Sequence, residues 1–222
     1  GMFPTKESLA EFRRGIMSEE SYQLEYMLKS VPQASQVIQP EYIHYYDNLP
    51  DDKDLIFTAT GIDLAISQKA FADRTAMISA RVYRIDGILR IYILPYIVNE
   101  RLTFPETIER IKSIKNAINN GYSVLLFIEK VAYQEAMVQQ LASEGIYVIG
   151  VSISQDKRTR LALTTAMLQN AQILFSRKGA EELIQQLIGF GIERFDDLAD
   201  AFSLLILEIM KQNTDKPDII WI

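Results

Sequence analysis

The sequence predicts an α/β domain: a mixed sheet that opens with three consecutive antiparallel strands, continues through parallel crossovers, and is flanked by helices. Three observations carry this reading. The runs "LIFTATGIDLAIS" (55–67), "TAMISARVYRI" (75–85) and "LRIYILPYIV" (89–98) are rich in β-branched and aromatic residues. Asp86-Gly87 separates the second run from the third, a strong short-range signal for a hairpin. Beyond residue 105, apolar runs alternate with helical patterns, which implies parallel strands joined by crossovers.

Taken in order, "FPTKESLAEFRRG" reads as a short helix, with Thr5 as N-cap and Gly15 as its stop. "SEESYQLEYMLKSVP" reads as a second, from Ser18 to Lys29, ended by Pro32. The stretch to residue 50 has too few hydrophobic repeats for a core segment, so residues 1–50 read as a linker or appendage and 51–222 as the domain. After the three strands, a helix is expected from Pro105 to Asn119, with proline in its first turn and Gly121 past its end. "SVLLFIE" (123–129) and "IYVIGVS" (146–152) are strands around a helix at 133–144. A helix from Asp156 to Gln169, a short strand "QILF" (172–175), and helices at 179–189 and 196–211 complete the chain.

Composition narrows the chemistry. With no cysteine and a single histidine, His44, thiol nucleophiles, Cys- or His-based metal sites and most histidine acid–base schemes fall away. Catalysis, if present, falls to carboxylates and a hard metal ion. A net charge of −6 argues against a nucleic-acid coat protein but not against a nuclease, whose clustered acids lower the total. The phosphate-binding patterns GxxxxGK[ST] and GxGxxG and the metalloprotease pattern HExxH are all absent. No apolar run approaches the roughly 18–20 residues of a membrane span, the first residues lack a signal peptide's apolar stretch, and Gly1 before Met2 reads as a leftover of expression.

What stands out is acid in unusual places. Asp63 lies between Ile62 and Leu64 in a strand, and Glu129 ends the most apolar strand of the chain. Each reads either as a residue turned to water or as a ligand. In "RFDDLADAF", Asp196 and Asp197 suit the start of a helix as caps, and Asp200 follows on an otherwise core-facing helix. That is more acid than capping needs, and Asp200 reads as a supporting acid of the group, or alone as a solvated one. If the strand ending at Glu129 lies beside the first strand, Asp63 and Glu129 become neighbours, and the last helix adds Asp196 or Asp197. Such an all-oxygen set suits Mg²⁺ or Mn²⁺, and two ions about 4 Å apart can cleave a phosphodiester. In "QDKRTRLAL", Lys157, Arg158 and Arg160 occupy the first turns of a helix, where cations oppose the dipole. They read as a solvated basic face or as phosphate contacts, with Lys157 nearest the acids.

The ordered series "GIDLAIS", "DRTAMI", "LLFIEKVAYQ", "DKRTRLAL" and "RFDDLADAF" resembles the C-terminal nuclease domain of the large terminase subunit of tailed phages and prophages. The resemblance spans roughly residues 55–210, and the segment before it resembles the one by which such proteins leave their ATPase domain. It implies an RNase H-like mixed five-stranded sheet and a metal-dependent endonuclease that cuts concatemeric DNA during genome packaging. Asp63, Glu129 and Asp197 then match the catalytic acids, with Asp196 beside them as a further ligand for Mg²⁺ or Mn²⁺, two ions in all. Double-stranded DNA, the ATPase domain, a portal and a small terminase subunit are the implied partners, and the host cytoplasm the implied location. Many members carry His where this sequence has Phe195. A junction resolvase of the same fold and a non-catalytic DNA-binding or portal-docking domain are the rival readings.

Overall fold

The computed structural model describes residues 36–64, 74–119, 121–130, 134–192 and 195–214. The two helices expected between residues 3 and 29 lie outside them. The centre of the sheet is the Asp86-Gly87 hairpin, joining β3 (Thr75–Ile85) to β4 (Ile88–Ile93). Asp86 and Gly87 have φ of 51° and 77°, the left-handed pair that a two-residue primed turn requires.

β2 (Leu55–Asp63) pairs antiparallel with β3 on one side and parallel with β6 (Val124–Glu129) on the other. β7 (Ile149–Val151) continues in parallel beyond β6. Beyond β4 lie β8 (Ile173–Ser176) and then β1 (His44–Tyr46), both parallel additions. The strand order is β1-β8-β4-β3-β2-β6-β7, with the short β5 (Val98–Glu100) pairing with β3. The mixed architecture is the expected one, with eight strands among the described residues instead of five. The 172–175 run joins as β8, and the 89–98 run divides around Pro95 into β4 and β5, since proline cannot donate to a ladder.

Among the described residues five helices cover the sheet: α1 (Phe104–Ile118), α2 (Gln134–Ser143), α3 (Lys157–Gln169), α4 (Glu181–Ile188) and α5 (Asp197–Thr214). Alternation along the strands separates two cores. Ile62, Met77, Leu126 and Ile128 pack with α1 and α2 through residues such as Ile111 and Leu141. Ala59, Ile78 and Phe127 point the other way, toward α3, α4 and α5. At Gly61 the α5 backbone comes so close that an added Cβ would lie 2.5 Å from the Ala201 carbonyl oxygen and 2.7 Å from Leu205 Cβ. A glycine inside a strand is the usual sign of such an approach.

The appendage expected to end at residue 50 is, over its described part, built into the domain. Ile38 is completely buried and belongs to the core on the α3, α4 and α5 side of the sheet, and β1 supplies an edge of the sheet. The stretch lacks a long apolar run because it contributes one anchor and a three-residue strand instead of a whole core element.

Candidate active site

Parallel pairing sets Asp63 beside Glu129. Ile62 is in register with Ile128, so the next residue on each strand is a neighbour across the ladder. By alternation both carboxylates project to the α5 side of the sheet, at the carboxyl ends of β2 and β6, where open α/β sheets commonly bind ligands. The loop after β7 leads to the start of α3, and α5 begins at the same end. Asp63, Glu129, Asp196, Asp197 and Asp200 face one cavity of about 610 Å³, closed on the α3 side by Asp156, Lys157 and Arg160.

The start of α5 shows why its acids exceed what capping needs. The Leu198 amide donates to the Gln186 side-chain oxygen of α4 at 2.9 Å. The Asp200 amide donates to the Asp196 carbonyl at 2.9 Å, closing the first turn. The Asp196 carboxylate accepts from Lys157 Nζ at 2.9 and 3.0 Å. Lys157 also reaches Asp200 Oδ2 at 2.5 Å, and the Arg160 guanidinium donates to Asp200 Oδ1 at 2.5 Å. Asp200 is therefore a buried ion-pair centre, not a solvated helix acid.

The basic residues divide in the same way. Arg160 is buried against Asp200, which places its guanidinium within the α3–α5 packing. Arg158 is exposed on the first turn of α3, and Lys157 is half-exposed. Their position at a helix start is tolerated because Asp156 caps α3, accepting from the Thr159 amide at 3.0 Å, and because the α5 acids lie opposite. Phe195 packs under the Arg74 guanidinium, 5.0 Å from ring centroid to Cζ, a cation–π contact on the loop before α5. His44 lies on β1, with β8, β4 and β3 between it and β2.

Electrostatically the cavity is in deficit. Its lining holds six carboxylates and two cations. Burial pushes the Asp63 carboxyl well above the ordinary carboxylate range, and the charges of Asp200, Glu129 and Asp197 push it further, against the pull of Lys157. For Lys157 burial is the largest influence and acts downward, but hydrogen bonds and charge from Asp200 and Asp196 outweigh it and raise the ammonium's pKa. The donor set is all oxygen and short of positive charge, which fits a hard divalent cation. Among the described residues, no three acidic or histidine side chains stand together at metal-ligand spacing. Two cations near the acids, Lys157 and Arg160, are supplied by the chain itself.

No family model matches the sequence, and no curated protein matches it. Solved structures do match in fold. The human cytomegalovirus terminase nuclease domain aligns with a TM-score of 0.57 at 15% identity, over 81% of this chain and 95% of that one. The large terminase nuclease of thermophilic phage G20c, solved with bound magnesium, gives 0.52 at 12% identity, over 80% and 99%. The large terminase of a second thermophilic bacteriophage gives 0.51 at 12% identity, over 83% of this chain and 43% of that one. The chain thus spans less than half the length of that large terminase, and it has the fold of the terminase nuclease domains. No helix among the described residues is long and apolar enough to cross a membrane.

Proposed function

We propose that this chain is the metal-dependent endonuclease domain of a phage terminase large subunit, hydrolysing phosphodiesters of double-stranded DNA during genome packaging. The observation that carries the reading is the side-by-side placement of Asp63 and Glu129 on β2 and β6, facing the acids of α5 across one cavity. The shared fold, and the magnesium bound by the G20c nuclease, support it.

In this reading Asp63, Glu129 and Asp197 hold one Mg²⁺ or Mn²⁺, and Asp196 is a ligand for a second. The metal, when bound, supplies Lewis-acid stabilisation of the charge that develops on the phosphodiester. The chain's own residues do the rest. The neighbouring strands fix two ligands relative to each other, the α5 start adds a third on a rigid element, and exposed Arg158 offers a backbone-phosphate contact. An ATPase domain of the same protein, a portal and a small terminase subunit are the proposed partners.

The test is nicking of supercoiled plasmid by the purified protein in Mn²⁺, Mg²⁺ and EDTA, beside calorimetric titration with Mn²⁺. Cutting is expected in Mn²⁺, more weakly in Mg²⁺ and not in EDTA. Asp63→Asn and Asp197→Asn should nearly abolish both cutting and metal binding, each having lost one negative charge but little volume. A portal-docking domain without catalysis, favoured by the pairing of Lys157 with Asp196, predicts no Mn²⁺ binding in any of the three proteins. That result would end the nuclease reading.

A further inference from the structure

Resting on that reading, the geometry of α3 and α5 allows a more specific statement about the Asp196 side of the cavity. Lys157 is the first residue of α3, and its ammonium bonds both oxygens of Asp196 and one of Asp200. Arg160, one turn along the same helix, holds the other oxygen of Asp200. Asp200 is thus gripped from two sides, and it pins the ammonium against Asp196. A carboxylate that accepts from one ammonium through both oxygens has that ammonium seated where a second cation would have to approach. The strand-end acids Asp63 and Glu129, by contrast, make no ion pair with Lys157 among the described residues.

We propose that Lys157 is a resident counter-ion for the Asp196 side of the site. It holds that side in the metal-free protein, and a second divalent ion binds there only by displacing it. The first ion, at Asp63, Glu129 and Asp197, does not compete with it. Displacement is sterically simple: the side chain is half-exposed, and a four-carbon stem lets the ammonium swing outward. The ammonium that leaves Asp196 is then free to meet a DNA phosphate. Occupation of the second ion position and capture of substrate charge become two halves of one exchange, so the second ion should bind more readily when DNA is present. Asp200 and Arg160 act as positioning residues, since they set where the lysine rests and touch no reacting atom.

The proposal is tested by titrating Mn²⁺ into the metal-free protein without DNA. Wild type should bind one ion well and a second far more weakly. Lys157→Gln should strengthen the second ion by about tenfold or more, the scale on which a neighbouring unit charge moves such an equilibrium, and strengthen the first much less. Lys157→Arg, which keeps the charge, should restore the wild-type separation. Lys112→Gln is the control: it removes one positive charge on the opposite face of the sheet, where Lys112 bridges Glu109 and Glu144, and should change neither ion. Asp196→Asn offers an independent variant that should lose the second ion and keep the first. If wild type binds an ion that Asp63→Asn loses, yet Lys157→Gln leaves the second ion no stronger or strengthens both equally, this inference is wrong while the nuclease reading stands. If no Mn²⁺ binds to any variant, both are wrong.

Discussion

Asp200→Asn is the most informative stability experiment, because the sequence leaves Asp200 open between a supporting acid and a solvated one. As a solvated helix acid, Asp200 would be replaced at no cost. In the structure its side chain is 6% exposed and that of Arg160 is 5% exposed, so this is no surface bridge of about 0–1 kcal/mol. Removing one partner of a buried pair strands a charge and costs about 3–5 kcal/mol. Two effects reduce that figure. Asparagine keeps an oxygen that can accept from Arg160, and loss of the carboxylate removes the strongest charge repelling Asp63. The expected loss is about 2–4 kcal/mol, a large share of the roughly 5–15 kcal/mol that holds a typical domain folded. Urea unfolding in EDTA measures it, with unchanged m-value confirming that the same transition is observed. Replacing the pair together, as Asp200→Leu with Arg160→Met, should recover most of the loss, since apolar side chains of similar size can substitute for a buried ion pair. If Asp200→Asn stayed within about 0.5 kcal/mol of wild type, the level of an ordinary surface change, the buried pairing of α3 with α5 would have to be abandoned.

Two further outcomes follow from the packing. Gly61→Ala should cost about 1–3 kcal/mol by overpacking, because the new methyl meets the Ala201 carbonyl and Leu205. It should also weaken Mn²⁺ binding, since Asp197 rides on the displaced helix; wild-type values in both urea unfolding and titration would refute the close approach. Deleting residues 1–50 should lower the melting temperature by about 5 °C or more, because it removes Ile38 from the core and β1 from β8, and calorimetry showing no change would return the domain boundary to residue 50.

Much of this was legible in the sequence, for reasons that can be traced. The 75–85 strand and its turn were readable because Asp-Gly is one of few dipeptides that populate two left-handed residues. Asp63 and Glu129 could be paired in advance because a crossover that returns a strand beside β2 also aligns their ends. Two short strands were not legible: three residues at β1 or β5 carry no periodicity, and their pairing comes from partners far along the chain. Nor was the fate of Arg160. A "DKRTR" string looks uniformly basic, and only the packing of α3 on α5 separates a buried guanidinium at position 160 from the exposed one at 158. Gly61 was missed although its signal was present, a glycine within an apolar strand.

The density of acid at the start of α5 now has a physical division of labour. Asp196 and Asp200, one turn apart, share Lys157, and Asp200 takes Arg160 as well. Asp197, on the adjoining side of the turn, faces the cavity with Asp63 and Glu129. Capping, the ordinary reason for acid at this position, is served at Leu198 by Gln186 of α4. Internal cations therefore hold part of the acidic run in place without any metal, and the helix dipole adds to them. What they leave uncompensated is concentrated at the strand ends, where Asp63 bears the burial and the repulsion of three neighbours. An arrangement built only for stability would not crowd a buried carboxylate with three other acids. One built to receive a divalent cation would do so, with α5 already anchored before the ion arrives.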